Sequence, residues 1–338
     1  MTLLRRGSGG GPEKSTDRWG LTLTRRLGGR NWAAPVLDPS YGDEALALLL
    51  RQASAGDWDS LRTSLAAVDD ASERTWLLTA LADVGGVETW IPRAVAAEPE
   101  SALPLLLSGA RQVSWAWEAR TARRARYVSE EQWRVFHERL KVAEEQLYEV
   151  AEREPGWLAP WYFLQISGRG ESVGAEVGRY RFEAALRRCP GHPDSHQQRL
   201  QQLCAKWSGS HEAMHDFART AMRSAPEGSP LGELVAIAHL ERWVDLEDGA
   251  DSTYLRDPAV VAELHEALDR SILNPAYKRP RGWKAAYNTF AMAFALAEDR
   301  QTARSLFKEI GGTVTKFPWC YAGEPTAAFR SCRKACAR

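Results

Sequence analysis

The fold is decided by residues 206–225, which read Lys206-Trp-Ser-Gly-Ser-His-Glu-Ala-Met-His-Asp-Phe-Ala-Arg-Thr-Ala-Met-Arg-Ser-Ala225 and precede Pro226. Apolar side chains recur there at spacings of three and four, which is typical of a helix that packs on its neighbours. Ser210 suits the N-cap, because its hydroxyl can accept a hydrogen bond from a free backbone N–H of the first turn. Proline cannot continue a helix, so this one ends before Pro226. The stretch predicts the second helix of a helical hairpin.

The same stretch contains His-Glu-Ala-Met-His at positions 211–215. In zinc metalloproteases, two histidines one helical turn apart bind the metal and the glutamate acts as base. Here His211 and His215 would be the zinc ligands and Glu212 the catalytic base. No third histidine follows at the usual place, so Glu233 or His196 would have to supply a further ligand. The helical-hairpin interpretation is favoured, and a zinc-dependent hydrolase is the alternative.

Prolines at the ends of predicted second helices mark an internal repeat. They stand at positions 99, 155, 190, 226 and 275, at intervals of 56, 35, 36 and 49 residues. The two central intervals lie close to a 34-residue period, and the outer two would contain insertions. One hairpin cannot bury its apolar face alone, whereas a stack of hairpins buries a continuous core. The pattern predicts an all-α array of about seven hairpins over residues 41–312.

The period, the alanine-rich second helices and the terminal prolines resemble the tetratricopeptide-repeat superfamily over residues 41–312, although no repeat carries its full Trp-x-x-Leu-Gly-x-x-Tyr signature. More narrowly, residues 206–219 are similar to a Lys-Trp-x-Gly-Ser-x-Glu-x-Met-x-x-Phe-Ala-Arg element of a group of uncharacterised bacterial helical-repeat proteins. Residues 297–311 are similar to the last hairpin of that group. The resemblance implies a right-handed solenoid of degenerate tetratricopeptide-like repeats. It supplies no known activity, and it implies that the position of His211 need not be histidine.

The two ends of the chain differ from this central region. Residues 1–40 are rich in glycine and basic side chains and lack sustained periodicity, so we expect a disordered arm. Residues 313–338 form a basic tail with room for one short helix.

The composition of the whole chain limits its partners. Its 338 residues include 44 basic and 44 acidic side chains, so no global field attracts it to nucleic acid or to an anionic membrane. The longest apolar runs are far shorter than the roughly 20 residues that cross a bilayer. No secretory signal is visible at the N-terminus. Five scattered cysteines without a Cys-x-x-Cys pair suit reduced thiols, which predicts a cytoplasmic protein.

Function is predicted from the repeat pattern and from the absence of catalytic motifs. The sequence contains neither a glycine-rich phosphate loop after a strand nor a Gly-x-Ser-x-Gly elbow. We therefore expect a non-catalytic scaffold or accessory protein that binds a protein or peptide, without a cofactor. Lys206, Trp207 and Arg219 are the candidate ligand-binding residues, because cations beside a tryptophan near a hairpin turn suit a carboxylate-bearing ligand.

Overall fold

The computed structural model describes residues 32–121, 127–207, 209–246 and 251–337. It confirms the all-α class, since helices follow one another through the described residues and the two strands there have two residues each. No helix among the described residues is long and apolar enough to cross a bilayer. The helices are α1 (Glu44–Ala55), α2 (Trp58–Ala66), α3 (Ala71–Ala82), α4 (Val87–Ala97), α5 (Ala102–Arg120), α6 (Glu130–Arg153), α7 (Ala159–Gly170), α8 (Gly174–Arg188), α9 (Pro193–Gln202), α10 (His211–Ser224), α11 (Glu233–Asp245), α12 (Asp251–Tyr254), α13 (Pro258–Arg270), α14 (Lys284–Leu296), α15 (Arg300–Ile310) and α16 (Pro325–Cys336).

Local sequence sets the ends of these helices as expected. The Ser210 hydroxyl accepts a hydrogen bond from the Ala213 N–H at 3.0 Å, so α10 begins at His211. It ends at Ser224, two residues before Pro226. A short 3₁₀ helix, Ala205–Trp207, stands between α9 and α10. The segment 206–225 is therefore the second half of a hairpin, as predicted.

The first helices of successive hairpins form the inside of the array. Contacts run from α3 to α5 and α7, then from α7 to α9, α9 to α11 and α11 to α14. Residues 102–111 of α5 and 233–241 of α11 are buried without interruption, as expected for helices covered on all sides. The second helices α6, α10, α13 and α15 bury one face each.

The array closes on itself through two short strands that the sequence analysis did not predict. Strand β1 (Val36–Leu37) pairs in parallel with β2 (Thr313–Val314). The Val36 N–H donates to the Gly312 carbonyl at 2.8 Å, and the Asp38 N–H donates to the Val314 carbonyl at 3.1 Å. These bonds join the segment before the first hairpin to the segment after the last.

The structure corrects two boundaries of the sequence analysis. Residues 32–40, which we assigned to a disordered arm, contain β1 and the turn that leads into α1. Residues 1–31 of that arm lie outside the described residues. The predicted C-terminal tail contains α16, which packs on α14 and α15. The Phe329 ring lies edge-on to the Phe307 ring at 5.1 Å, so this helix belongs to the core.

Candidate ligand-binding interior

Polar side chains from distant hairpins converge inside the closed array. Tyr41 precedes α1, Asp194 begins α9 and Glu233 begins α11. The carboxylates of Asp194 and Glu233 nevertheless act on the Tyr41 hydroxyl and, with burial as the main cause, raise the pKa of Tyr41 to about 12. The three side chains therefore lie near one another although they come from distant parts of the chain. We call the region that they border the interior.

One wall of the interior is acidic. Burial raises the pKa of Asp194 to about 6, and no hydrogen bond or ion pair of its carboxylate offsets this shift. Burial also raises the pKa of Glu233 to about 7, although the Thr289 hydroxyl donates to Glu233 Oε1 at 2.8 Å. Asp83 has a raised pKa with the same principal cause, yet its side chain remains accessible to solvent. Burial thus raises the pKa of all three carboxyl groups of this acidic wall above their ordinary values.

A second wall combines two arginines with indole rings. The Arg120 guanidinium carbon lies 5.7 Å from the Trp117 ring centre and 5.5 Å from that of Trp207. Arg169 lies on α7, and its guanidinium carbon is 5.2 Å from the Trp117 ring centre and 5.8 Å from that of Trp207. The two indoles meet edge to face at 5.6 Å. Tyr162 lies about two turns before Arg169 on the same face of α7, and its hydroxyl is influenced by both Arg169 and Asp194. The aromatic wall therefore lies near Asp194 of the acidic wall.

Arg169 is a desolvated cation without a counter-ion. Its Nη1 donates to Gln198 Oε1 at 2.6 Å, and no carboxylate of the described residues lies within ion-pair distance of it. Burial lowers the pKa of Arg169, yet the side chain stays partly accessible to solvent. A guanidinium presents a planar fork that matches a carboxylate. Arg169 is thus placed to receive an anionic group that enters the interior.

Helix α7 can bring Arg169 to this position because glycines flank it. A Cβ on Gly170 would lie 2.6 Å from Leu140 Cδ1 and from Phe136 Cζ, so α6 approaches the α7 backbone directly. A glycine inside a helix costs about 1 kcal/mol relative to alanine. The close approach of α6 leaves no space for a Cβ, which explains why position 170 is a glycine despite that cost.

Lys206 lies at the same wall, but its charge is already neutralised. Its Nζ donates to Glu241 Oε2 at 2.7 Å, and the hydroxyl of Tyr321 donates to Glu241 Oε1. Gln201 Nε2 donates to the same Oε1. Both carboxylate oxygens of Glu241 are thus occupied by hydrogen bonds within the protein. Because Lys206 is paired with Glu241, its charge contributes to the structure of this wall and is not available to a ligand.

The structure separates the three residues that the sequence analysis grouped as a ligand clamp. Lys206 and Trp207 lie at the interior. Arg219 lies on α10, where its Nη2 donates to Glu263 Oε2 of α13 at 3.1 Å and its Nε donates to the other oxygen. The clamp of Lys206, Trp207 and Arg219 is therefore not assembled. Arg169 and Arg120, which the sequence analysis missed, are cations whose guanidinium carbons lie 5.8 and 5.5 Å from the Trp207 ring centre.

The His-Glu-Ala-Met-His segment lines a different recess. His211, Glu212 and His215 border a pocket of about 560 Å³ together with side chains of α11 and α13. His211 Nε2 is 2.8 Å from Asp245 Oδ2. The His215 ring lies 4.7 Å from the His239 ring, centre to centre. The three motif residues are thus near one another, as a metal site would require.

The further zinc ligands proposed from the sequence lie elsewhere. Glu233 faces the interior and binds Thr289. His196 donates from Nδ1 to the His192 carbonyl at 2.8 Å, and its ring packs 5.1 Å from the Phe182 ring. Across the described ranges, no three His, Cys, Asp or Glu side chains are grouped so that they could hold a metal ion. Neither Glu233 nor His196 borders the pocket of His211 and His215.

No protein-family model, curated protein or solved structure matches this chain.

Proposed function

We propose that this protein is a non-catalytic scaffold that holds a segment of a peptide or protein partner in its interior. The observation that carries the proposal is the Arg169 guanidinium, which has no ion-pair partner among the described residues and lies 5.2 and 5.8 Å from the ring centres of Trp117 and Trp207. Tryptophan and arginine are the residues that most often dominate the energetics of protein interfaces. An extended segment with a carboxylate would bind the guanidinium and pack its apolar parts on the two indoles.

The opposite wall adds a requirement for the ligand. Asp194 and Glu233 have raised pKa values and no cationic partner among the described side chains. A positive group from the ligand would favour their charged forms and release protons on binding. The ligand that fits both walls therefore carries a carboxylate and a basic group, as a peptide with acidic and basic side chains does. The Gln198 side-chain oxygen accepts a hydrogen bond from Arg169. The NH₂ group of the same amide can donate to the peptide backbone.

The test is selection of binding peptides from a random displayed library, followed by fluorescence anisotropy with purified peptides. We expect the selected peptides to contain both an acidic and a basic residue. Arg169→Gln should weaken their binding at least tenfold, which corresponds to about 1.4 kcal/mol. Arg187→Gln makes the same change of charge on the exposed side of α8 and should leave the affinity unchanged. Equal affinities for the two variants would contradict the proposal.

The zinc-hydrolase alternative stays a prediction from the sequence. His211, Glu212 and His215 share one pocket with His239 and Glu263, although no three such side chains of the described residues are grouped so that they could hold a metal ion. Elemental analysis of untagged protein beside the His215→Ala variant would test it, because one zinc per chain that is lost in the variant would restore the alternative.

A further inference from the structure

The pocket beside the His-Glu-Ala-Met-His segment is separate from the interior. His239 borders this pocket, and Glu241, two residues later on α11, faces Lys206 at the interior. Residues two apart on a helix point about 200° apart, so the two sites lie on opposite sides of α11. We call the recess bordered by His211, His215, His239, Arg242 and Glu263 the histidine pocket.

One wall of the histidine pocket is fixed by a complete hydrogen-bond network. His239 Nε2 lies 3.0 Å from Glu263 Oε2, and His239 Nδ1 lies 2.8 Å from the Tyr254 hydroxyl. Glu263 also accepts two bonds from Arg219. These partners hold the pKa of Glu263 well below its usual range, at about 2, against the opposing effect of burial. Every polar group of this wall is satisfied, so the wall is rigid before any ligand arrives.

Two other groups of the pocket have no partner in the described part of the chain. His215 is only 9 % exposed, yet neither ring nitrogen has a hydrogen bond. Burial lowers the pKa of His215 to about 3, so the ring is neutral and offers one N–H. Arg242, from α11, borders the same space without an ion pair or hydrogen bond and is only partly accessible to solvent. None of their nitrogens is among the buried side-chain atoms without a partner, so these donors reach solvent and can contact a ligand that enters the pocket.

We propose that the histidine pocket binds a small organic carboxylate, with the Arg242 guanidinium and the His215 N–H as its hydrogen-bond donors. A guanidinium fork pairs with both oxygens of a carboxylate, and the imidazole adds a third donor. Ala259 and Val260 complete the lining of the pocket and suit a short hydrocarbon chain.

The charges favour a carboxylate over phosphate. Glu263 is ionised at the wall, and Glu212 stands at the exposed rim. A dianion would be repelled by both glutamates and would retain oxygens that His215 and Arg242 cannot reach with their donors. A singly charged, planar anion satisfies both donors and meets less repulsion. This site does not depend on the proposed function of the interior.

The test follows the ring resonances of His215 by NMR in full-length protein with ¹⁵N-labelled histidine. Butyrate, inorganic phosphate and chloride are titrated separately at constant ionic strength. We expect butyrate to shift the His215 signals and to saturate in the range of about 1 to 10 mM. His215→Gln assigns the signals, because they disappear in that variant.

Two variants decide whether Arg242 holds the anion. Arg242→Gln should weaken butyrate binding at least tenfold, whereas Arg223→Gln, on the exposed surface of α10, should leave it unchanged. A thermal unfolding scan confirms that each variant is folded. Butyrate shifts that do not saturate, or that persist in Arg242→Gln, would overturn the proposal. Tighter binding of phosphate than of butyrate would overturn the assignment of the ligand class.

Discussion

At the scale of single residues, the buried carboxyl groups of the acidic wall lower the free energy of unfolding by an amount that depends on pH. Glu233 is 7 % exposed, and burial raises its pKa to about 7, against a reference value of 4.5. Between these two values, the folded protein retains a proton that the unfolded chain has released. The contribution of Glu233 to the free energy of unfolding therefore falls as the pH rises from 4.5 to 7 and stays low above that.

Glu233→Gln removes this titration and keeps a similar shape. We expect the variant and the natural protein to be about equally stable near pH 5. At pH 8 the variant should be more stable by about 1 to 3 kcal/mol. Urea unfolding at a series of pH values measures the difference. Glu145→Gln, on the exposed surface of α6, is the control, and its difference from the natural protein should not change with pH. A Glu233→Gln difference that is equally constant would mean that this carboxyl is hydrated in the folded state.

Structural roles that depend only on neighbouring residues in the sequence were predicted correctly. Ser210 is the N-cap of α10 because a cap needs only the next three residues of the chain. The partners of Lys206 and Arg219 were not predicted, since Glu241 and Glu263 follow them by 35 and 44 positions. Which cation remains unpaired is decided by such distant contacts. The only sequence signal for Arg169 is that it is an arginine in a helix whose other residues are almost all buried.

At the scale of elements, a buried arginine joins three helices at one point. Arg181 of α8 is 2 % exposed. Its Nη1 donates to Glu144 Oε1 of α6 and to the Leu164 carbonyl of α7, both at 2.7 Å. Its Nη2 donates to the Tyr148 hydroxyl at 3.0 Å. The guanidinium of α8 therefore makes hydrogen bonds to groups on both α6 and α7.

Arg181→Ala should therefore be costly, because it leaves Glu144 without its ion pair and removes a donor from a buried carbonyl. Loss of one partner from a buried pair costs about 3 to 5 kcal/mol. Arg179→Ala is the matched control on the same helix, since Arg179 is exposed and its ion pair with Glu183 spans 3.8 Å. That control should change stability by less than about 0.5 kcal/mol. Urea unfolding compares the two, and equal midpoints would show that α8 is held by its apolar contacts alone.

The order of the helices was predictable because prolines and glycines mark their ends in the sequence. Strands β1 and β2 were not predictable, since two residues are too few to show an alternating pattern. Helix α16 was expected only as one short helix in a tail. Its burial depends on Phe307 of α15, whose ring contacts the ring of Phe329 on α16. Such a contact between elements has no signature in either segment.

At the scale of the whole molecule, closure turns an open array into an enclosing one. An open solenoid presents its first helices along a groove. In this closed array, segments from opposite ends of the chain approach each other at Tyr41 and Lys284. The Lys284 Nζ donates to Thr313 Oγ1 at 2.8 Å beside Gly42. Arg281 Nε lies 3.1 Å from Glu73 Oε1. We expect this closure to contribute to the desolvation that raises the pKa values of Asp194 and Glu233.

Closure can be tested by two truncations. A chain that begins at Trp32 retains β1, whereas one that begins at Tyr41 loses the hydrogen bonds of Val36 and Asp38 to the segment after α15. It also loses the bond from Arg333 to the Ala33 carbonyl at 3.0 Å. At about 1 kcal/mol for each bond, we expect the shorter chain to be less stable by about 3 kcal/mol.

The shape of the two chains separates closure from a simple loss of stability. Without β1, the ends of the array can move apart, so small-angle X-ray scattering should give a larger radius of gyration for the chain that begins at Tyr41. Water would then reach the acidic wall, and the pKa of Glu233 should fall toward its ordinary value. The stability of Glu233→Gln relative to its parent would accordingly lose its dependence on pH in the shorter chain. If radius and pH dependence match those of the chain that begins at Trp32, the contacts of α3, α7, α9 and α11 enclose the interior without β1.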